Sequence, residues 1–331
     1  MDDLPPVSVQ FKIEPIHIPA TNITRDDKFP TCRGGLADIW KCSMTTQSGT
    51  PRLVAVKSVR VPSATDATSL QAIGKRVRRE AYVWIKLKHD HILPLDGVIE
   101  EFGPLPALVS PWMKEGSLND YLKREFSGLS DPRKQELVWQ VTAGISYLHS
   151  EGIVHGDLTA TNVLVDSCGC LRLADFGLSM ILAEEGNATF NSCHAGNVRW
   201  MPPEALRAGD EHNDEAKDEK PTKAWDVYSY GCVVFQIFSG NQPYAWIPSV
   251  LQVMGAMQKG REPFKGIESH EAYQRFSPCL NKISANRPTM DNIMEVLQEK
   301  GVEKKEGERR HCILTRLKKR LLGLRSRVNL S

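Results

Sequence analysis

Three oxygen-bearing side chains, Asp157, Asn162 and Asp175, fall within one short stretch, HGDLTATNVLVDSCGCLRLADFG, from His155 to Gly177. Between the second and the third lie two apolar, partly β-branched runs, Val163–Val165 and Leu171–Leu173, separated by the turn formers Asp166-Ser167-Cys168-Gly169. That pattern predicts a β-hairpin, and a hairpin folds its two ends together. Asn162 and Asp175 are therefore expected side by side, with Asp157 on the entering loop. Two carboxylates and a carboxamide at one loop end suit a divalent cation that keeps part of its water shell, the way Mg²⁺ is held beside substrate phosphates. Asp and Asn are also ordinary turn residues, so the composition alone does not decide the matter; the rest of the chain has to agree.

A second charged pair is implied further upstream. Leu53–Val59 has strand character, and its odd positions set Leu53, Ala55, Lys57 and Val59 on one face. A lysine on an apolar face is costly unless a carboxylate meets it. The helical stripe that follows, Ile73, Val77, Glu80, Trp84 and Leu87, contains one acid, Glu80, while the remainder of that helix is read as basic, from Lys75 to Lys88. Lys57 and Glu80 are expected to pair.

The elements that position these groups can be read in order. Residues 1–28, with Pro5, Pro6, Pro15 and Pro19, read as an extended lead-in or a short edge strand. Around Gly34 and Gly35 a tight turn brings backbone N–H groups to a surface without intruding side chains, a cradle for phosphate. Pro104–Leu122 reads as an apolar strand, a short connection and a helix begun near Ser117. Leu137, Val141, Ile145 and Leu148 form a helical stripe ending near Gly152, which delivers the chain to His155. The run after Asp226, VYSYGCVVFQIF, is apolar on nearly all sides and predicts a buried helix, and residues 208–220, with six acids against two lysines, a solvated insertion.

Taken together, these stretches resemble the protein kinase superfamily: His-Arg-Asp-Leu-x-x-x-x-Asn followed by Asp-Phe-Gly, with Gly156 where the family usually has Arg. Lys57, Glu80, Asp157, Asn162, Asp175, Glu204, Asp226 and Arg287 appear in the family's order. Trp200-Met201-Pro202-Pro203-Glu204 and Arg287-Pro288-Thr289-Met290 look most like the tyrosine-kinase-like branch, including fungal Ser/Thr kinases whose catalytic loop begins His-Gly-Asp-Leu. The resemblance implies an α+β, two-lobed kinase fold: a small, mostly antiparallel β lobe with one helix over about 29–113 and a larger, mainly helical lobe over about 114–298. It implies ATP and Mg²⁺, with nucleotide contacts at Gly34, Gly35, Ile39, Ala55, Lys57, Ser110, Pro111, Met113 and Leu164. Lys57, oriented by Glu80, would hold the α and β phosphates, Asn162 and Asp175 the metal, and Asp157 the attacking hydroxyl. Asp226 would anchor the catalytic-loop backbone and Arg287 would pair with Glu204.

The departures are as informative. Cys32 and Ala37 stand where the glycine-rich loop usually has glycine. Thr159 and Thr161 stand where a Lys or Arg usually steadies the moving phosphoryl, and Asn197 replaces a threonine that often bonds that lysine. A slow enzyme is expected, or one drawing a cation from elsewhere, such as Arg199 or the substrate. With Gly156 in place of Arg, control by phosphate on Ser179, Thr189 or Ser192 is not expected. A pseudokinase scaffold that binds nucleotide or a partner is the alternative, and retention of Lys57, Asp157, Asn162 and Asp175 speaks against it.

Composition sets the outer bounds. The 331 residues are 41% hydrophobic and 25% charged with a net charge of +2, ordinary for a globular protein and no pointer to nucleic acid. Eight scattered cysteines without a CxxC pair predict reduced thiols, and the absence of a signal-like or membrane-spanning run predicts a cytoplasmic location. The end of the chain, taken as 299–331, is different: from Val302 it carries ten Lys and Arg against three Glu, +7, which leaves −5 for the rest. Ile313, Leu317, Leu321, Leu324 and Val328 line one face of this basic segment. Such a helix lies on an anionic membrane surface, grips an acidic partner, docks on the acidic body or frays, and the first of these would make the protein peripheral at a membrane or even a tail-dominated adaptor.

Overall fold

The computed structural model describes residues 16–33, 37–46, 49–61, 66–175, 197–206 and 221–299. Gly34 and Gly35, the loop carrying Phe176, Gly177, Ser179, Thr189 and Ser192, the acidic insertion and the basic tail lie outside the described residues. The chain divides into two compact units, Met1–Lys88 with Pro94–Trp112, and His89–Leu93 with Met113–Ser331.

The first unit is, among the described residues, a curled antiparallel sheet with one α-helix. Among the described residues its strands are β1 (Ile23–Arg25), β2 (Cys32–Arg33), β3 (Ala37–Thr45), β4 (Pro51–Val59), β5 (Gly97–Ile99) and β6 (Ala107–Pro111). They run in the order β1-β3-β4-β6-β5, with β2 paired to β3. The lead-in does enter the sheet: Ile18 donates to the Val98 carbonyl and Val98 to the Ile16 carbonyl, before β1 pairs with β3 at the other edge. Val54 and Val56 are fully buried and join Cys42, Ile99, Ala107 and Val109 in one apolar core. The expectation that Lys57 shares the main apolar face is corrected by this. Leu53, on the Lys57 face, is 45% exposed, because only one face of the sheet carries that core and period-two alternation cannot say which.

Helix α1 (Ala67–Trp84) is begun by Asp66, whose carboxylate accepts from the Ser69 amide at 2.8 Å, a bond that holds that carboxyl below its usual range. Val77, Glu80, Ala81 and Trp84 are buried on its inner face. Lys86 and Lys88 lie beyond its end and do not belong to its basic face.

The second unit is mainly helical, with a small sheet in the order β7 (Gly116–Ser117), β8 (Val163–Val165), β9 (Leu171–Leu173). Helix α2 (Leu118–Glu125) is capped by Ser117 and α3 (Asp131–Ser150) by Ser130. Leu137, Val141, Ile145 and Leu148 of α3 are fully buried, as the stripe predicts. Gly144 lets β9 approach α3, since a Cβ there would meet the Leu173 side chain at 2.7 Å. Helix α4 (Lys223–Ser239) starts three residues before Asp226, capped by Thr222, and is buried without interruption from Trp225 to Ile237. Three further helices follow among the described residues, α5 (Val250–Gln258), α6 (Glu271–Phe276) and α7 (Met290–Glu299). A mostly antiparallel β unit with a helix and a mainly helical unit are the two parts of the α+β kinase-like fold expected.

Candidate active site

In the first unit the functional side chains are set by strand register. Ile39 stands opposite Lys57, and Ala55 opposite Ser110. Paired residues project to the same side of a sheet, so Ile39, Ala55, Lys57 and Ser110 share the face opposite Val54 and Val56. Lys57 Nζ and Glu80 Oε1 are 3.8 Å apart, in side chains 9% and 4% exposed. The β2–β3 hairpin brings Cys32 opposite Ile39. Ser110 is buried, and Pro111 closes β6 opposite Val54.

In the second unit the catalytic loop is built around a buried carboxylate. Asp226 is 1% exposed; it accepts from the His155 and Gly156 amides and stands against His149 Nε2, each at 2.8 Å. Three N–H donors offset the cost of burying the charge. Gly156 has φ +73°, a conformation that glycine adopts without a Cβ penalty.

Asp157 follows directly. The Asn162 amide Nδ2 donates to its backbone oxygen at 2.7 Å and to Oδ2 at 3.0 Å. This turns the carboxamide so that Oδ1 is its remaining ligand atom. The Ala174 amide donates to the Asn162 carbonyl at 2.8 Å, which ties the two ends of the β8–β9 hairpin and sets Asp175 beside Asn162, as expected. Asp175 itself has φ +59°, in the left-handed region that Asp tolerates and most residues do not. The hairpin turn is held by Asp166, whose Oδ1 accepts from the Cys168 and Cys170 amides. Two hard oxygen donors fixed in this way fit a Mg²⁺ ion that takes its other ligands from water and phosphate. Met113 is buried, and Leu164 lies on the less buried side of β8, between the fully buried Val163 and Val165.

Thr159 and Thr161 form a hydroxyl pair, 2.6 Å apart, and Thr159 Oγ1 also accepts from the Thr161 and Asn162 amides. Arg199 is not the replacement cation. It is buried, and its guanidinium donates to the Pro243, Tyr244, Ile247 and Pro248 carbonyls. Asn197, by contrast, reaches the Asp157 carboxylate, with Nδ2 at 2.7 and 2.9 Å from its two oxygens. A recess of about 10 Å³, room for one water-sized group, opens beside Asp157, Thr159, Asn197, Met201 and Ser229. Glu204 and Arg287 meet in a bidentate pair at 2.6 and 2.8 Å.

Residues 31–297 match the family described as protein tyrosine and serine/threonine kinase. The chain belongs to this protein kinase family. Similar relatives agree. The serine/threonine-protein kinase STY46 of Arabidopsis thaliana is 29% identical over 279 residues, 83% of this chain and 44% of that protein. The serine/threonine/tyrosine-protein kinase HT1 of Arabidopsis thaliana is 29% identical over 276 residues, 82% of this chain and 67% of its own length. The ephrin type-A receptor 5 of Homo sapiens is 30% identical over 250 residues, 74% of this chain and 22% of the receptor. The chain thus spans less than half of the first of these. A mixture of Ser/Thr, dual-specificity and receptor kinases agrees with the tyrosine-kinase-like branch. In a kinase domain, the Glu204–Arg287 pair and the Asp226 anchor are structural devices, and both stand as the sequence order implied. The contributions of His149 and Arg199 were not foreseen; neither has a local signal, because their partners lie 77 and about 45 residues away.

Proposed function

We propose that this protein kinase domain transfers the γ-phosphoryl group of ATP to a protein hydroxyl, on Ser or Thr, in signalling. The observation that carries this reading is the Asp157 carboxylate, held beside a hairpin whose ends bring Asn162 and Asp175 together. Lys57, paired with Glu80, binds the α and β phosphates by charge. Asn162 Oδ1 and the Asp175 carboxylate hold Mg²⁺, which when bound neutralises phosphate charge. Asp157 orients the acceptor hydroxyl and takes its proton as the γ-phosphorus bonds to that oxygen and ADP leaves. The nucleotide contacts proposed in the first unit are Ile39, Ala55, Ser110 and the Pro111 carbonyl, and those in the second are the Met113 amide and Leu164.

Turnover is slow on this reading. Thr159 and Thr161 offer hydroxyls where a cation would sit, and one lost donor to developing charge costs on the order of 10²–10³ in rate. Transfer of labelled γ-phosphate from ATP to a mixed Ser, Thr and Tyr peptide library tests the proposal. Wild type labels Ser and Thr peptides, and Asp157→Asn removes the signal while melting as wild type does. Undiminished labelling by Asp157→Asn would overturn it.

The location we propose is cytoplasmic, with residues 302–331 as the contact to an anionic membrane or an acidic partner. Among the described residues no helix is long and apolar enough to cross a membrane.

A further inference from the structure

The two carboxamides on Asp157 come from very different distances along the chain. Asn162 comes from the same loop, and Asn197 from forty residues further on. One NH₂ group that bridges both carboxylate oxygens, at 2.7 and 2.9 Å, fixes the plane of the carboxylate as well as its position. A carboxylate free to rotate about its Cβ–Cγ bond would offer its lone pair to an acceptor hydroxyl in only a fraction of its orientations.

The segment that carries Asn197 is itself locked. Asn197 precedes a 3-10 turn, Val198–Trp200, in which all three residues are buried. The Arg199 guanidinium grips four backbone carbonyls between Pro243 and Pro248. The Trp200 indole N–H donates to Gln236 and the Trp200 carbonyl accepts from Ser229, both on α4. Gln236 in turn donates to Asn119, whose amide bonds the Ala160 carbonyl of the catalytic loop. The clamp and the loop it holds are therefore referenced to the same helix.

We infer that Asn197 is a positioning residue for phosphoryl transfer: a neutral amide that fixes the Asp157 carboxylate, in a loop where threonines occupy the positions of the customary cation. This rests on the phosphotransferase reading above. Thr159 cannot perform the task, since its hydroxyl is taken up by the Thr161 and Asn162 amides and the Thr161 hydroxyl. Arg199 cannot either, because its charge is turned to the carbonyls behind it.

The test is steady-state transfer from labelled ATP to the peptide library by the full chain, alongside titration with a fluorescent ATP analogue. Asn197→Ala is expected to lower kcat about 10²-fold, the cost of an ångström-scale misplacement, with the KM for ATP and the affinity for the analogue unchanged. Asn197→Ser, which retains a short donor, recovers part of the loss, and Thr159→Lys added to Asn197→Ala recovers more by bringing an ammonium to the carboxylate. The inference is overturned if Asn197→Ala turns over like wild type, or if the loss appears in ATP affinity instead of kcat. An inactive wild-type chain, in contrast, would overturn the phosphotransferase reading itself.

Discussion

The two units hold their essential charges in different ways. In the β-rich unit, Lys57 and Glu80 stand 3.8 Å apart, near the outer limit of an ion pair, one on a strand and the other on a helix. In the helical unit, Asp226 has three N–H groups at 2.8 Å, and Asp157 is held by two carboxamides at 2.7 to 3.0 Å. The first arrangement works through charge, which falls off slowly with distance; the second works through directed hydrogen bonds, which fail within half an ångström. Binding phosphate tolerates the looser design. Removing a proton from a hydroxyl does not.

The largest effect should come from breaking the tight side. Asp226→Ala leaves the His155 and Gly156 amides and the His149 ring without their acceptor, and is expected to cost about 3–5 kcal/mol, read as a lower urea midpoint with loss of transfer. A shift under 1 kcal/mol would show the anchor to be dispensable. His91 sharpens the same side. It is buried, bonded to the Leu171 carbonyl at 3.0 Å, and burial pushes its imidazole down to about 4. Between the unfolded value near 6.5 and about 4, the unfolded chain binds the proton that the folded chain refuses. Stability from this group is therefore full above pH 6.5 and falls as the pH drops to 4, by at most about 3 kcal/mol. Urea unfolding at pH 7 and at pH 4.5 checks it: His91→Gln should lose less on acidification than wild type, and equal losses would refute the assignment. The smallest effect belongs to the loose side. Glu80→Gln keeps the shape and removes the charge facing Lys57, so transfer should fall about tenfold through weaker ATP binding, with stability changed by under about 1 kcal/mol. A loss of stability rivalling that of Asp226→Ala would erase the contrast between the units.

Much of this was legible before any fold was known, for local reasons. The hairpin that joins Asn162 to Asp175 follows from two apolar runs and the Asp166 turn, and the Lys57–Glu80 pair from a period of two meeting a period of 3.6. What escaped was non-local. Which face of β4 carries the apolar core depends on how the sheet curls, so the Lys57 face, with Leu53 exposed, was read as the apolar one. That Arg199 would turn inward and Asn197 outward to Asp157 depends on the Pro243–Pro248 carbonyls, of which neighbouring letters carry no trace. The reach of His149 to Asp226 likewise spans two helices.

The Asp226 anchor grips the peptide backbone of His155 and Gly156 and reads no side chain at the second of these. What constrains residue 156 is its φ of +73°, which glycine meets without a Cβ penalty, and not a side-chain contact to Asp226. Glycine in place of arginine at that point eases the backbone and gives up a cationic handle, while the amide bonds to Asp226 that hold the machinery one residue further on are kept.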